Sequence, residues 1–140
     1  MIKIVCVGKV KEAFYREAIL EYSKRLSKYT KLEIVEVADE GTIDKALKLE
    51  SERILKNIKD NEYVITLEIG GKNLSSLEFS NLIDKTLINN SNITFDTVKQ
   101  RSNYALSFSK MTFPHQLFRV VLLEQIYRTF KINNNENYHK

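Results

Sequence analysis

The chain is poor in the residues that most sharply limit what a protein can be. It has one cysteine, one proline, four glycines and two histidines among 140 residues. Cys6 alone cannot close an internal disulfide. It sits in the apolar run IKIVCV and reads as a buried core thiol, suited to a reducing compartment. His115, His139 and Cys6 offer no zinc spacing, so no metal site is expected. The four glycines fall in neither GxGxxG nor GxxxxGK order, which removes the glycine-rich phosphate cradles. No apolar stretch nears the roughly 18 residues that cross a bilayer. The start, MIKIVCVGKV, is short and meets charge too soon to serve as a signal peptide. The expectation is a cytoplasmic protein with neither membrane nor metal partner.

What is present is enough for one domain with a proper core: 43% apolar and 29% charged residues. The net charge of +4 is unevenly spread. Residues 1–31 carry eight Lys/Arg against three Glu, and residues 96–140 carry seven against three acids. The middle, 32–95, carries seven against twelve. Folding that joins the two basic ends makes a patch suited to a polyanion such as nucleic acid, although on charge alone an ordinary solvated surface is the better account.

Strand and helix signals alternate. IKIVCVG (2–8) is a β-branched run closed by glycine, and KEAFYREAILEYSKRLSKY (11–29) places Phe14, Ala18, Leu20–Tyr22 and Leu26 near helical spacing. LEIVEVA (32–38) is a second strand. A second helix over 42–58 has Thr42 as N-cap and Ile43, Leu47, Ile54 and Ile58 near one face. EYVITLEI (62–69) is a third strand, followed by GGKN (70–73), which reads either as a plain turn or as a ligand-binding edge. A third helix over 75–89 opens with Ser75 and Glu78 spaced as a capping box. NITF (92–95), a short helix or turn at 96–103, a strand at 104–111 and a long helix opening at Pro114 complete the order; the tail from 133 is polar. This predicts an α/β protein: a mainly parallel sheet with helices on both faces.

The last helix is apolar around most of its girth, from Leu117 and Phe118 through Val120–Leu123 to Ile126, Tyr127 and Phe130. One sheet face needs a stripe only a little over 100° wide. The excess points to a homodimer packed through this helix. His115 reads as a structural residue of the helix start. The end, Tyr138-His139-Lys140, is of the kind that usually frays, though histidine can serve as acid or base near neutral pH.

Four stretches carry a resemblance over nearly the whole chain: GKVKEAFYREAILEYSKRLSKY, VITLEIGGKNLSS, QRSNYALSFSKMTFPHQLFRVVLLEQIYR and the ending NYHK. Together they resemble the RlmH family (ribosomal RNA large subunit methyltransferase H) of the SPOUT superfamily. The resemblance implies a single SPOUT domain over 1–140 with a C-terminal trefoil knot at about 92–132. It also implies a homodimer, and methyl transfer from S-adenosylmethionine to N3 of a pseudouridine in helix 69 of 23S ribosomal RNA on the assembled ribosome. By the same resemblance Leu67, Phe108, Ser109, Lys110, Met111, Thr112 and Phe113 form the cofactor pocket. His139 and Tyr138 are then catalytic candidates, with Lys140 holding a phosphate or the base carbonyl. Lys11, Arg16, Lys24 and Arg25 are the expected RNA contacts.

One departure stands out. The family carries a glycine-rich IGGSxG segment between the fourth strand and the short helix. Here NSNITF runs into DTVKQRS, about ten residues short. The favoured expectation is a mobile loop belonging between Phe95 and Asp96. The alternative is a chain that lacks the loop: a non-catalytic, ribosome-binding dimer of the same fold. A flavodoxin-like nucleotide module also fits the alternation but leaves the C-terminal motifs unexplained.

Overall fold

The elements follow one another as β1 Ile2–Val7, α1 Ala13–Leu26, β2 Leu32–Val37, α2 Ile43–Leu55, β3 Tyr63–Asn73, α3 Ser76–Asn89, β4 Ile93–Asp96, β5 Tyr104–Ser107 and α4 His115–Asn133. A 3₁₀ turn, Lys99–Arg101, lies between β4 and β5. The structure is a computed structural model that describes residues 1–40 and 43–138, without the side chains of 43–45. Thr42, His139 and Lys140 therefore lie outside the described residues, and with them the expected N-cap of α2 and two of the three catalytic candidates.

The five strands form one sheet in the order β2-β1-β4-β3-β5, with every pairing parallel. Parallel neighbours need a crossover, which the intervening helices supply. Successive strand residues point to opposite faces. Ile2 and Ile4 accordingly join the main core with Ile65, Phe95 and Leu106, while Val5 joins a smaller cluster with Val37, Ile54 and Val98. The capping box of α3 is formed: the Ser75 hydroxyl accepts from the Glu78 amide at 3.1 Å and the Glu78 carboxylate accepts from the Ser75 amide at 2.9 Å. Other expectations fail at the helix surfaces. Phe14, Leu20 and Leu47, read as core-facing, are 62%, 69% and 78% exposed.

The long helix α4 is flanked by both α1 and α3. Leu122, Leu123 and Ile126 are wholly buried, Phe118 stacks edge-on to Phe108 and Phe130 stacks on Tyr29. Most of its apolar girth is thus covered within the chain. Leu117, Val120 and Val121 stay half-buried. Arg119, itself buried, ties the start of α4 to the end of β1: its guanidinium donates to the carbonyls of Val7 and Gly8 and meets Glu36 at 2.9 Å. Glycine suits position 8, where φ is +81°.

Two expectations about loops are corrected. GGKN is not a turn after the third strand; β3 continues through it to Asn73. The pairing with β5 slips instead, so that Leu67 and Lys72 both face Leu106 and Glu68–Gly71 arch out between them. And no segment intervenes between Phe95 and Asp96. They are adjacent residues of β4, paired with Ile65 and Thr66 of β3.

Gly71 closes the arch. A Cβ there would lie 2.7 Å from the backbone carbon of Leu106, far inside contact distance. Because backbone cannot move aside as a flexible side chain can, Gly71→Ala is expected to cost about 1–3 kcal/mol. Denaturant unfolding would show this as a lowered midpoint with an unchanged slope.

Candidate functional site

The arch and the loop after β5 enclose a cavity of about 250 Å³ at the C-terminal end of the strands. Open α/β sheets bind ligands at this edge, because there the connecting loops are free to diverge. Leu67, Glu68 and Ile69 form one wall, Leu106–Ser109 with Met111–Phe113 another, and Thr97, His115 and Phe118 complete it. The aromatic rings are held by one another: Phe108 lies 6.0 Å from Phe79 and 5.0 Å from Phe118, and Phe113 lies 6.3 Å from Phe118. The loop bonds to itself as well. The Ser107 hydroxyl donates to the Ser109 carbonyl at 3.1 Å, and the Met111 amide donates to the Ser109 hydroxyl at 3.0 Å.

Six of the seven cofactor candidates meet here: Leu67, Phe108, Ser109, Met111, Thr112 and Phe113. Lys110 sits in the same loop but is exposed and forms no part of the wall. Sequence reasoning missed Glu68, Ile69, Thr97 and Phe118, and took His115 as structural. His115 is the first residue of α4 after the capping Pro114, is exposed, and also lines the cavity. A larger hollow of about 700 Å³ runs along Ser27–Leu32, and none of the expected cofactor residues lines it.

Asp96 ends β4 beside this region, 1% exposed. Its Oδ1 accepts from the Val98 amide at 2.7 Å, while Oδ2 has no partner. Burial pushes the carboxyl up from its ordinary 3.8 to about 6, against the pull of the Val98 amide and Arg101. Cys6 is likewise pushed up to about 11, chiefly by burial, and so remains a thiol at neutral pH. Among the described residues no three His, Cys, Asp or Glu converge as a metal site would require.

The other candidates lie elsewhere. Tyr138 packs edge-on against Tyr127 at 5.4 Å, with the Arg128 guanidinium 4.5 Å from its ring. That is the far end of α4 from His115. Burial, then Glu124, pushes its phenol up to about 12. Lys24 and Arg25 line a depression with Glu21, Lys28, Tyr29, Tyr127 and Lys131, where Glu21 pairs with Arg25 at 3.0 Å; folding thus joins the two basic ends around one acid. Arg25 lies 5.5 Å over the Tyr22 ring. Lys11 and Arg16 are exposed but stand off this patch, at the opposite end of α1.

The profile of a family described as "Predicted SPOUT methyltransferase" matches residues 1–139. The chain is 54% identical to "Ribosomal RNA large subunit methyltransferase H" of Clostridium botulinum (strain Kyoto / Type A2), over 99% of this chain and 99% of that one. The protein of the same name from strain Alaska E43 / Type E3 is also 54% identical, with the same coverage, and that from strain Langeland is 55% identical. These alignments span 157 positions against 140 residues here, so at least 17 positions of the relatives have no counterpart in this chain.

The pK shift of Asp96 gives a signed expectation. The folded chain holds a proton that the unfolded chain releases between about pH 4 and 6, so stability falls as pH rises through that window. Asp96→Asn keeps the acceptor for Val98 and removes the charge. It should raise stability by on the order of 2 kcal/mol at pH 7.5 and leave it nearly unchanged at pH 4, as read by thermal unfolding at both values.

Proposed function

The chain belongs to the SPOUT methyltransferase family, and from that premise we propose that it is an S-adenosylmethionine-dependent methyltransferase of 23S ribosomal RNA. Its target is N3 of a pseudouridine in helix 69 of the assembled ribosome, and its compartment the cytoplasm. The observation that carries the reading is the cavity. Six residues expected from the family motif meet at one sheet edge, around a space walled by phenylalanine, leucine and loop backbone. At about 250 Å³ it falls just below the ~300–1,000 Å³ of typical small-molecule pockets, which suits the adenosine half of the cofactor better than the whole.

The proposed architecture is one domain over 1–140, with α2 on one face of the sheet and α1, α3 and α4 on the other. A trefoil knot at about 92–132 would present the 108–113 loop, with Phe108, Met111 and Phe113, to hold the adenine. The cofactor supplies a methyl on a positively charged sulfur, which leaves as a neutral thioether. The chain's share is positioning and proton handling. Tyr138, held protonated, acts as a donor to the base carbonyl rather than as a base. That leaves His139 to take the N3 proton and Lys140 to hold a phosphate.

This assignment requires two subunits. Twelve residues of α4 separate His115 from Tyr127, about 18 Å of helix. The two residues after Tyr138 reach only about 7 Å. A second copy, seated on the half-buried Leu117, Val120 and Val121, would deliver the tail to the cavity. Lys24 and Arg25, with Lys11 and Arg16, are the proposed RNA contacts.

A second reading is favoured by one observation. The relatives have at least 17 more aligned positions, and β4 runs without a break where a glycine-rich segment belongs in the resemblance. The chain would then be a ribosome-binding dimer of the same fold without catalysis. Titration with S-adenosylhomocysteine separates the two: saturable heat supports the enzyme, and none at millimolar ligand supports the binding protein.

Removal of residues 138–140 should abolish methylation of ribosomes by radiolabelled cofactor and leave cofactor affinity intact; full activity of the shortened chain would refute the tail's role. The double substitution Lys24→Glu, Arg25→Glu should weaken ribosome binding at least tenfold and flatten its dependence on salt by about two units of logarithmic slope. Binding across a series of salt concentrations measures both effects.

A further inference from the structure

We propose that Glu68 sets the ligand preference of the cavity, favouring an adenosine that carries a positively charged sulfur over its neutral thioether. The inference rests on the cofactor reading above. Glu68 stands in the arch between the two pairings with Leu106, and its side chain, 15% exposed, is part of the cavity wall. Its Oε2 accepts from the buried Thr66 hydroxyl at 2.6 Å, and that hydroxyl lies 2.6 Å from the Ser102 hydroxyl. The hydroxyl pair fixes the carboxylate from behind.

The other oxygen is differently placed. Oε1 lies 3.8 Å from the Lys99 ammonium, beyond hydrogen-bond distance, on a side chain 79% exposed. So loose and solvated a cation offsets little of the negative charge. Oε1 is the oxygen left to meet a ligand. Among the described residues of the wall Glu68 is the one carboxylate, and no lysine or arginine joins it. Phe108, Phe113 and Phe118 line the same cavity, and apolar walls weaken the screening of a charge set among them. Methyl donor and product differ there by one positive charge on sulfur. The donor is attracted; the product, once its methyl has gone, is not. The carboxylate thus holds the donor and releases the product.

Isothermal titration of the full chain with S-adenosylmethionine, S-adenosylhomocysteine and 5′-methylthioadenosine tests this. The donor should bind about tenfold more tightly than either thioether, as a charge-assisted contact predicts. Glu68→Gln should bring that ratio near one by weakening the donor alone. Lys99→Glu, an exposed change that adds negative charge beside Oε1, should widen it about threefold. Equal weakening of all three ligands by Glu68→Gln would make the carboxylate a structural part of the arch and overturn the proposal. An unchanged ratio in either variant would overturn it too, and Lys99→Glu decides alone if Glu68→Gln does not fold. Failure of the unsubstituted chain to bind any of the three would instead defeat the cofactor reading itself.

Discussion

The burial of α4 is the constraint on which the rest of the structure depends. The helix lies with α1 on one side and α3 on the other, and its residues Leu122, Leu123 and Ile126 have no exposed surface. Completely burying side chains of this size contributes roughly 1.5–3 kcal/mol each, more than any exposed ion pair supplies. The helix cannot slide within that seat, and Arg119 pins its first turn to the end of β1. His115 and Phe118 are carried to the cavity as a result, while Tyr127 and Arg128 carry the tail to the opposite end.

The cavity is a product of irregularity at one edge of an otherwise regular sheet. β3 and β5 lose and regain register across Glu68–Gly71, and the chain leaves β5 into a loop that bonds to itself. Each irregularity has a local cause. Gly71 allows backbone to approach backbone where a side chain could not. The serines at 107 and 109 supply bonds that an extended ladder would otherwise provide. The result is an apolar space with one carboxylate in its wall; a second, Asp96, precedes the lining Thr97 and is pushed up to about 6 by burial.

The chain is short beside its relatives, whose alignments span 157 positions against its 140 residues. β4 ends in Asp96 and passes directly to Thr97 in the cavity wall. The wall at this point is therefore made by the loop at 108–113 and by the arch that carries Glu68.

Periodicity determined the alternation of strand and helix and with it the parallel sheet, because burial on a strand or helix repeats at a fixed interval that residue types record directly, and the Ser75–Glu78 spacing marked the capped start of α3. The loop at 108–113, expected from the family resemblance rather than from periodicity, supplies five of the cavity's lining residues. Tertiary structure decided the rest. Two adjacent glycines look the same in a turn and in a strand that slips its register, since both need backbone freedom; only the position of Leu106 distinguishes them. Leu47 and Leu20 carry the residue type of a core but face solvent, because no neighbouring element reaches them. The apolar girth of α4 likewise does not say whether a partner or its own chain covers it. Glu68 gave no sign of itself in the sequence, because a lone acid beside IGG gains meaning only when Thr66, Ser102 and the phenylalanines gather around it.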